Sequence, residues 1–165
     1  MSIFKNLTNK ILLKETIISL LVISFVFIFD RITKTNIINH QLNNQSIFIN
    51  DYLNLELVWN TGIGFGLLSQ EANTYYHLIS LLIFSVIIFL IYLIIKSDFL
   101  EKILFSIILG GATGNLYDRL IYFAVPDFID FHIGDFHWFI FNIADIFITV
   151  GIILILIKDI IFKKK

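Results

Sequence analysis

Residues 110–145, GGATGNLYDRLIYFAVPDFIDFHIGDFHWFIFNIAD, decide the fold. They place aspartates, an arginine and two asparagines between and inside apolar runs long enough to cross a membrane. A charged side chain near the middle of a spanning helix costs roughly 2.5 to 3.5 kcal/mol on insertion scales, so a cluster of them faces a polar cavity and works there. The surrounding chain fits that setting. It has 165 residues, of which 58% are apolar and only 15% charged, with a mean hydropathy of +0.87. These values describe a membrane protein of one domain, residues 1–165. With no cysteine, disulfide frameworks, zinc ribbons and thiol nucleophiles are excluded. There is no basic patch of the kind nucleic acid requires, so no nucleic-acid partner is expected.

Working outward, four stretches approach the roughly 20 apolar residues of a spanning helix: 12–29, 75–95, 103–122 and 138–157. The first follows Lys5, Lys10 and Lys14 like a secretory signal, but no small-residue cleavage site follows and Asp30-Arg31 closes the run, so it reads as a retained span. With four spans, the lysines at 5, 10, 14, 96, 102, 158, 163, 164 and 165 fall on one side, against only Arg31, Lys34 and Arg119 on the other. That asymmetry puts both termini in the cytoplasm. The connections 31–74 and 120–137 then lie outside.

The first outer connection carries strands. Leu53, Leu55, Leu57 and Trp59 alternate with Asn54, Glu56, Val58 and Asn60, and Ile47 and Ile49 precede Asn50-Asp51, which predicts a hairpin. The outer β region extends over about 47–66 and ends in NTGIGFG, where glycines permit close backbone approaches. The second connection alternates as well, with Asp130 and His132 on one side, Phe131 and Ile133 on the other and a turn at Gly134-Asp135. Its aromatic density predicts a short interfacial element. The expected fold is therefore an all-α integral membrane bundle of four transmembrane helices, N-in and C-in, with a small β-sheet cradle on its outer face.

Asp145 lies seven residues from Trp138, which on a helix is roughly 10 Å inside the fourth span. Asn142 and Thr149 share its face, a stripe that either serves chemistry or packs helices together. Asn115, Asp118 and Arg119 line one side of the third span, with Arg119 placed to neutralise a carboxylate or to cap the helix with Asp118. Asp127, after Pro126, is the natural partner of Asp145, with the proline in a turn that aims the aspartate. Two close carboxylates share one proton, so one can activate water while the other protonates a carbonyl: peptide hydrolysis without a metal or other cofactor. Membrane carboxylates also carry protons or ions, which leaves a proton-coupled transporter as an alternative. A metal-binding protein is a further one, because Asp130, His132, Asp135 and His137 are candidate ligands within eight positions. A regular hairpin would space them unevenly, so they are expected to be interfacial polar residues and no metal ligands are assigned.

Five blocks together settle a resemblance: DRITK (30–34), VWNTGIGFG (58–66), GGATGNLYDR (110–119), DFI (127–129) and FNIAD (141–145). In order, spacing and four-span setting they resemble the signature blocks of the lipoprotein signal peptidase (signal peptidase II) family. The resemblance implies an intramembrane aspartic endopeptidase of the bacterial inner membrane, with its site toward the periplasmic face. It would remove the signal peptide from diacylglyceryl-modified prolipoproteins just before the lipidated cysteine. Carried over by motif, Asp127 and Asp145 match the catalytic pair, and Asn60, Gly62, Asn115, Arg119 and Asn142 match substrate-binding or dyad-supporting positions. Asp30, Lys34 and Asp118 match motif positions for which structural support of the site is the default. Partners implied are lipidated prolipoprotein signal peptides and membrane lipids, with the protein acting as a monomer. Gly64 stands where the family usually has a small apolar residue such as alanine, and Pro126 where valine is common.

Overall fold

The computed structural model describes residues 2–41, 46–62 and 74–162. Gly64 and the rest of the NTGIGFG segment beyond Gly62 lie outside the described residues, as do Lys163, Lys164 and Lys165. In chain order the elements are α1 (Ser2–Gln41), β1 (Ile47–Asn50), β2 (Leu53–Asn60), α2 (Thr74–Lys96), α3 (Phe99–Tyr122), β3 (Val125–Ile133), β4 (Phe136–Phe141) and α4 (Ile143–Phe162). Among the described residues, three helical stretches are long and apolar enough to cross a membrane: Leu12–Gln41, Tyr76–Lys96 and Phe99–Tyr122.

Two boundaries differ from the expectation. The DRITK block does not close the first helix, which continues for about 16 Å past Asp30 at 1.5 Å per residue. Asp30 and Lys34 are one helical turn apart and form an ion pair at 2.8 Å with both side chains fully buried. Their charges are matched inside the protein, so they do not stop the helix. At the other end of the chain, Trp138 is not on a helix. It belongs to β4, and α4 starts only at Ile143. The supposed interfacial element is a β3–β4 hairpin that completes one antiparallel four-stranded sheet in the order β1-β2-β3-β4. The β part of the fold is accordingly larger than the all-α description anticipates.

The central helix is α3, half of whose apolar window is buried, against 11% for α1 and 17% for α2. It packs against α1, α2 and α4, and Ile108, Leu109 and Ala112 meet Ile87 and Leu90 of α2 in the core. The glycines of GGATG make this possible by close approach. A Cβ added at Gly110 would lie 2.7 Å from Val26 Cβ, one at Gly111 2.7 Å from the Ala144 carbonyl oxygen, and one at Gly114 2.7 Å from Asp30 Oδ2. Two faces of α3, Gly110 and Gly114 toward α1 and Gly111 toward α4, thus touch their neighbours with no room for a methyl group. At the other end of the bundle Asp98 caps α3, accepting from Glu101 N–H at 3.0 Å, and Lys158 of α4 reaches Asp98 and Glu101 at 2.7 Å each.

The sheet departs from regular pairing at three places, one of them between Phe48 and Asn50 of β1 and the other two beside β3. Between Leu55 and Val58 the pairing with β3 shifts, so Trp59 turns outward at 44% exposed while Asn60 is buried at 7%. Gln41, the last residue of α1, covers this bulge: its amide donates to the Leu55 carbonyl at 2.9 Å and accepts from Leu57 N–H at 2.6 Å. A second shift falls beside Phe131, where β4 carries an extra residue and His132 meets His137. Pro126 sits within β3 opposite Trp59, not in a turn. The β4 pairing begins only at Ile129, so no neighbour on that side needs the N–H that proline lacks.

Substituting Gly111→Ala should push the start of α4 away from α3, because the atom met is backbone and not a flexible side-chain tip. The expected cost is about 1–3 kcal/mol, seen as a lower melting temperature in detergent, and an unchanged melting temperature would show that the contact is loose.

Candidate active site

The site forms where β2, β3 and the first turn of α4 meet the sheet-side ends of α1 and α3. Its geometry starts with how α4 begins. Asn142 is the N-cap, its Oδ1 accepting from Asp145 N–H at 3.0 Å, while Asp145 Oδ2 accepts from Asn142 N–H at 3.2 Å. This is a reciprocal capping box with aspartate in the third helical position. Asp145 is therefore in the first turn of a helix and not deep within one, which corrects the depth estimated from Trp138. The Asn142–Asp145–Thr149 stripe dissolves accordingly. Asn142 precedes the helix, and Thr149 joins Phe141, Asp145, Ile146 and Val150 around a cavity of about 250 Å³.

Asp127 projects from β3 toward the same cap. Its Oδ1 accepts from Asn142 Nδ2 at 2.6 Å and its Oδ2 from Asn60 Nδ2 at 2.8 Å. Asn60 stands diagonal to Asp127 across the β2–β3 ladder, on the face to which the first bulge turns it. Its own Oδ1 accepts from Gly62 N–H at 2.8 Å, a local turn that holds the amide still. A single residue, Asn142, thus binds both carboxylates, through its side chain to Asp127 and through its backbone to Asp145. Asp127 is only 1% exposed. Burial first, then the charge of Asp145, push its carboxyl up to about 6 from an ordinary 3.8, against the pull of the Asn60 and Asn142 hydrogen bonds and the Lys34 charge.

Behind Asp145 lies a chain of buried polar groups. Asp145 Oδ1 accepts from Asn115 Nδ2 at 2.8 Å, and Asn115 Oδ1 accepts from Lys34 Nζ at 2.8 Å. The same ammonium is paired with Asp118 at 2.7 Å and with Asp30. Asp30 in turn accepts from the Ala144 N–H at 2.9 Å, an otherwise unmatched amide in the first turn of α4. Arg31 pairs with Asp118 and lies 5.0 Å from the Tyr117 ring centroid. Asp118 is thus a fully buried member of this network and not an interfacial cap. Among the described residues, the hydrogen bonds of Arg119 reach no carboxylate. It donates to the carbonyls of Gly62 at 2.5 Å and Asn115 at 3.3 Å, tying the segment after β2 to α3.

All ten residues singled out from the sequence therefore lie in one connected network. The reading missed Arg31, counted only for orientation, and the capping role of Asn142. The Asn-x-x-Asp spacing at 142–145 was a visible signal for the second. Of the candidate ligands outside the network, Asp130, His132 and His137 come together on the sheet, while Asp135 does not join them.

Comparison with known proteins bears on this arrangement. The signal peptidase (SPase) II family model matches residues 22–162. The chain belongs to the signal peptidase II family. It is 46% identical over 159 residues to the lipoprotein signal peptidase of Pelagibacter ubique (strain HTCC1062), covering 95% of this chain and 96% of that protein. The lipoprotein signal peptidase of Anaplasma phagocytophilum (strain HZ) is 39% identical over 150 residues, covering 89% of this chain and 94% of that one. Two bacterial membrane enzymes solved by the in meso method superimpose with TM-scores of 0.72 and 0.68. They are 38% and 35% identical, and each alignment covers 89% of this chain and 91% or 94% of the other. Family membership makes the chain a peptidase of the aspartic class, and its apolar helices make it a multi-pass membrane protein.

Because the folded-state value of Asp127 is raised, its contribution to stability is fully present below the unfolded value of 3.8 and is lost as pH rises through about 6. The full loss is at most about 3 kcal/mol. Melting in detergent from about pH 4 to pH 7 should therefore destabilise the wild type more than Asp127→Asn, which lacks the titrating group. Parallel slopes in the two proteins would show that the carboxyl is unperturbed.

Proposed function

We propose that this peptidase is an intramembrane aspartic endopeptidase that removes signal peptides from diacylglyceryl-modified prolipoproteins, cleaving just before the lipidated cysteine. The observation that carries the reading is the bridge made by Asn142, which holds Asp127 and Asp145 at one point. One carboxylate takes a proton from water as it attacks the scissile carbonyl. The other, protonated, donates to the carbonyl oxygen, and the pair titrates as a unit. Asn60 and Asn142 orient Asp127, and Asn115 orients Asp145, so neither carboxyl has to reorganise when charge develops. Arg119 holds the Gly62 carbonyl, and Gly62 holds the Asn60 amide that reaches Asp127. Lys34, Asp30 and Asp118 hold α1, α3 and the start of α4 in register beneath it.

The bundle spans the bacterial inner membrane four times, with α4 as the fourth span and both termini in the cytoplasm. The excess of lysine at the ends remote from the sheet supports this orientation. The sheet then lies on the periplasmic side, and the substrate enters laterally from the bilayer. The cavity beside Asp145, lined by Phe141, Ile146 and Val150, offers an apolar wall for the signal peptide. A monomer suffices, since every member of the network comes from one chain.

A purified sample given a lipidated prolipoprotein should cleave it, and cleavage should survive a chelator, because the proposed steps use only carboxyls and water. Asp127→Asn and Asp145→Asn should each lose about 10²–10⁴-fold in rate or more. Activity persisting in either variant would remove that residue from the pair, and loss with chelator in a sample whose melting temperature is unchanged would favour metal-assisted hydrolysis.

A further inference from the structure

We infer that Asp130, His132 and His137 form a binding site for one first-row divalent transition-metal ion, best matched by zinc, on the face of β3 opposite Asp127. One donor atom from each of the three lies within 4.8 Å of the others. Asp130 and His132 are two apart on a strand and so share a face, and Asp127, three residues before Asp130, points to the other. His137 reaches the shared face because of the β4 bulge. In a regular hairpin Phe131↔Phe139 would be followed by His132 opposite Trp138, but the shifted register sets His132 against His137. The two imidazoles stack with centroids 5.1 Å apart and planes 13° from parallel.

The donors are arranged as ligands would be. The Asp130 side chain is fully buried, with both carboxylate oxygens 2.8–2.9 Å from His137 Nδ1, and its Oδ2 is 3.9 Å from His132 Nδ1. His132 is 9% exposed, and its Nδ1 has no hydrogen-bond partner among the described residues. Beside its other nitrogen, at 3.5 Å, lies the Asn54 amide, whose own oxygen is also buried without a partner. Turning that amide about its terminal bond lets Asn54 Oδ1 accept from His132 Nε2–H. This fixes the tautomer that leaves the Nδ1 lone pair directed at the cluster, the outer support that metal-bound histidines ordinarily have. The orphaned His132 Nδ1 thus gains a partner from one occupant. Zinc bonds of about 2.0–2.1 Å set tetrahedral donors about 3.4 Å apart, so His132 moves in by roughly 1 Å while His137 Nδ1 gives up its hydrogen bond to Asp130 and moves out by about 0.5 Å. The His137 side chain, 52% exposed, provides the entry path and leaves a coordination position to water. Two imidazoles and one carboxylate favour zinc, cobalt or nickel over calcium or magnesium. Bound there, the ion would staple β4 to β3, the strand that carries Asp127.

The inference does not depend on the peptidase reading. Full-length protein in detergent, stripped with chelator, is titrated with zinc by calorimetry and with cobalt by visible absorbance. The expected result is one ion per chain, cobalt bands typical of nitrogen and oxygen ligands, and a rise in melting temperature on adding zinc. His132→Ala and His137→Gln should each weaken zinc binding about tenfold or more, and calcium should not compete. Asp145→Asn should bind zinc as the wild type does, which separates this site from the proposed catalytic pair. Stripped His137→Gln should melt cooperatively in detergent at the temperature of the stripped wild type, which shows that this variant is folded. Absence of saturable zinc binding, or binding unchanged in both histidine variants, would overturn the site and point to a metal-free Asp130–His137 ion pair.

Discussion

The buried Lys34 ammonium is the interaction on which the rest of the structure depends. An unpaired charge in such a place would be costly, and removing one partner of a buried pair typically costs several kcal/mol. Here the ammonium meets Asp30, Asp118 and Asn115, groups from its own helix and from α3. Satisfying it forces α1 and α3 into one register. That register places Asp30 against the Ala144 amide, and so sets where α4 begins. The position of Asp145 follows from the start of α4, because its carboxylate is part of the cap.

The same economy of groups runs through the site. Asn115 accepts a hydrogen bond from Lys34 and donates one to Asp145, and Asn142 caps a helix with its oxygen while binding Asp127 with its nitrogen. An asparagine suits such a bridge because it donates and accepts from one rigid plane. Networks of this kind rigidify the fold to the extent that their members are satisfied. That accounts for their dependence on the close approach of α1, α3 and α4 at Gly110, Gly111 and Gly114. Packing without side chains and polar bridging are two halves of one solution: helices that touch allow short polar residues to reach across.

Much of the site was legible in the sequence, since polar residues in apolar runs announce themselves by their cost. Asp127, Asp145, Asn115 and Lys34 could be picked out that way, and the five blocks gave the family. The element boundaries were harder to read. FHWFIF is as apolar as a helix, and hydropathy alone cannot separate a buried strand from the start of a span. DRITK looked like a terminus because its charges seemed to need water, when they needed each other. The two register shifts beside β3 left no sign in the alternation, yet one of them buries Asn60 and the other sets His137 against His132.

By itself the sequence determined that this chain lives in a membrane, which residues are too polar to lie idle there, and the family to which it belongs. Those properties follow from transfer free energies and motif spacing, which each residue carries whatever its neighbours are. Only the tertiary structure decided that Asp145 opens a helix, that Asn142 joins it to Asp127, and that Arg119 holds the backbone carbonyls of Gly62 and Asn115. It also decided that three ligand-type side chains meet on the far face of β3. Each of these depends on strand register and on where helices end, and those are set by contacts between residues distant in the chain.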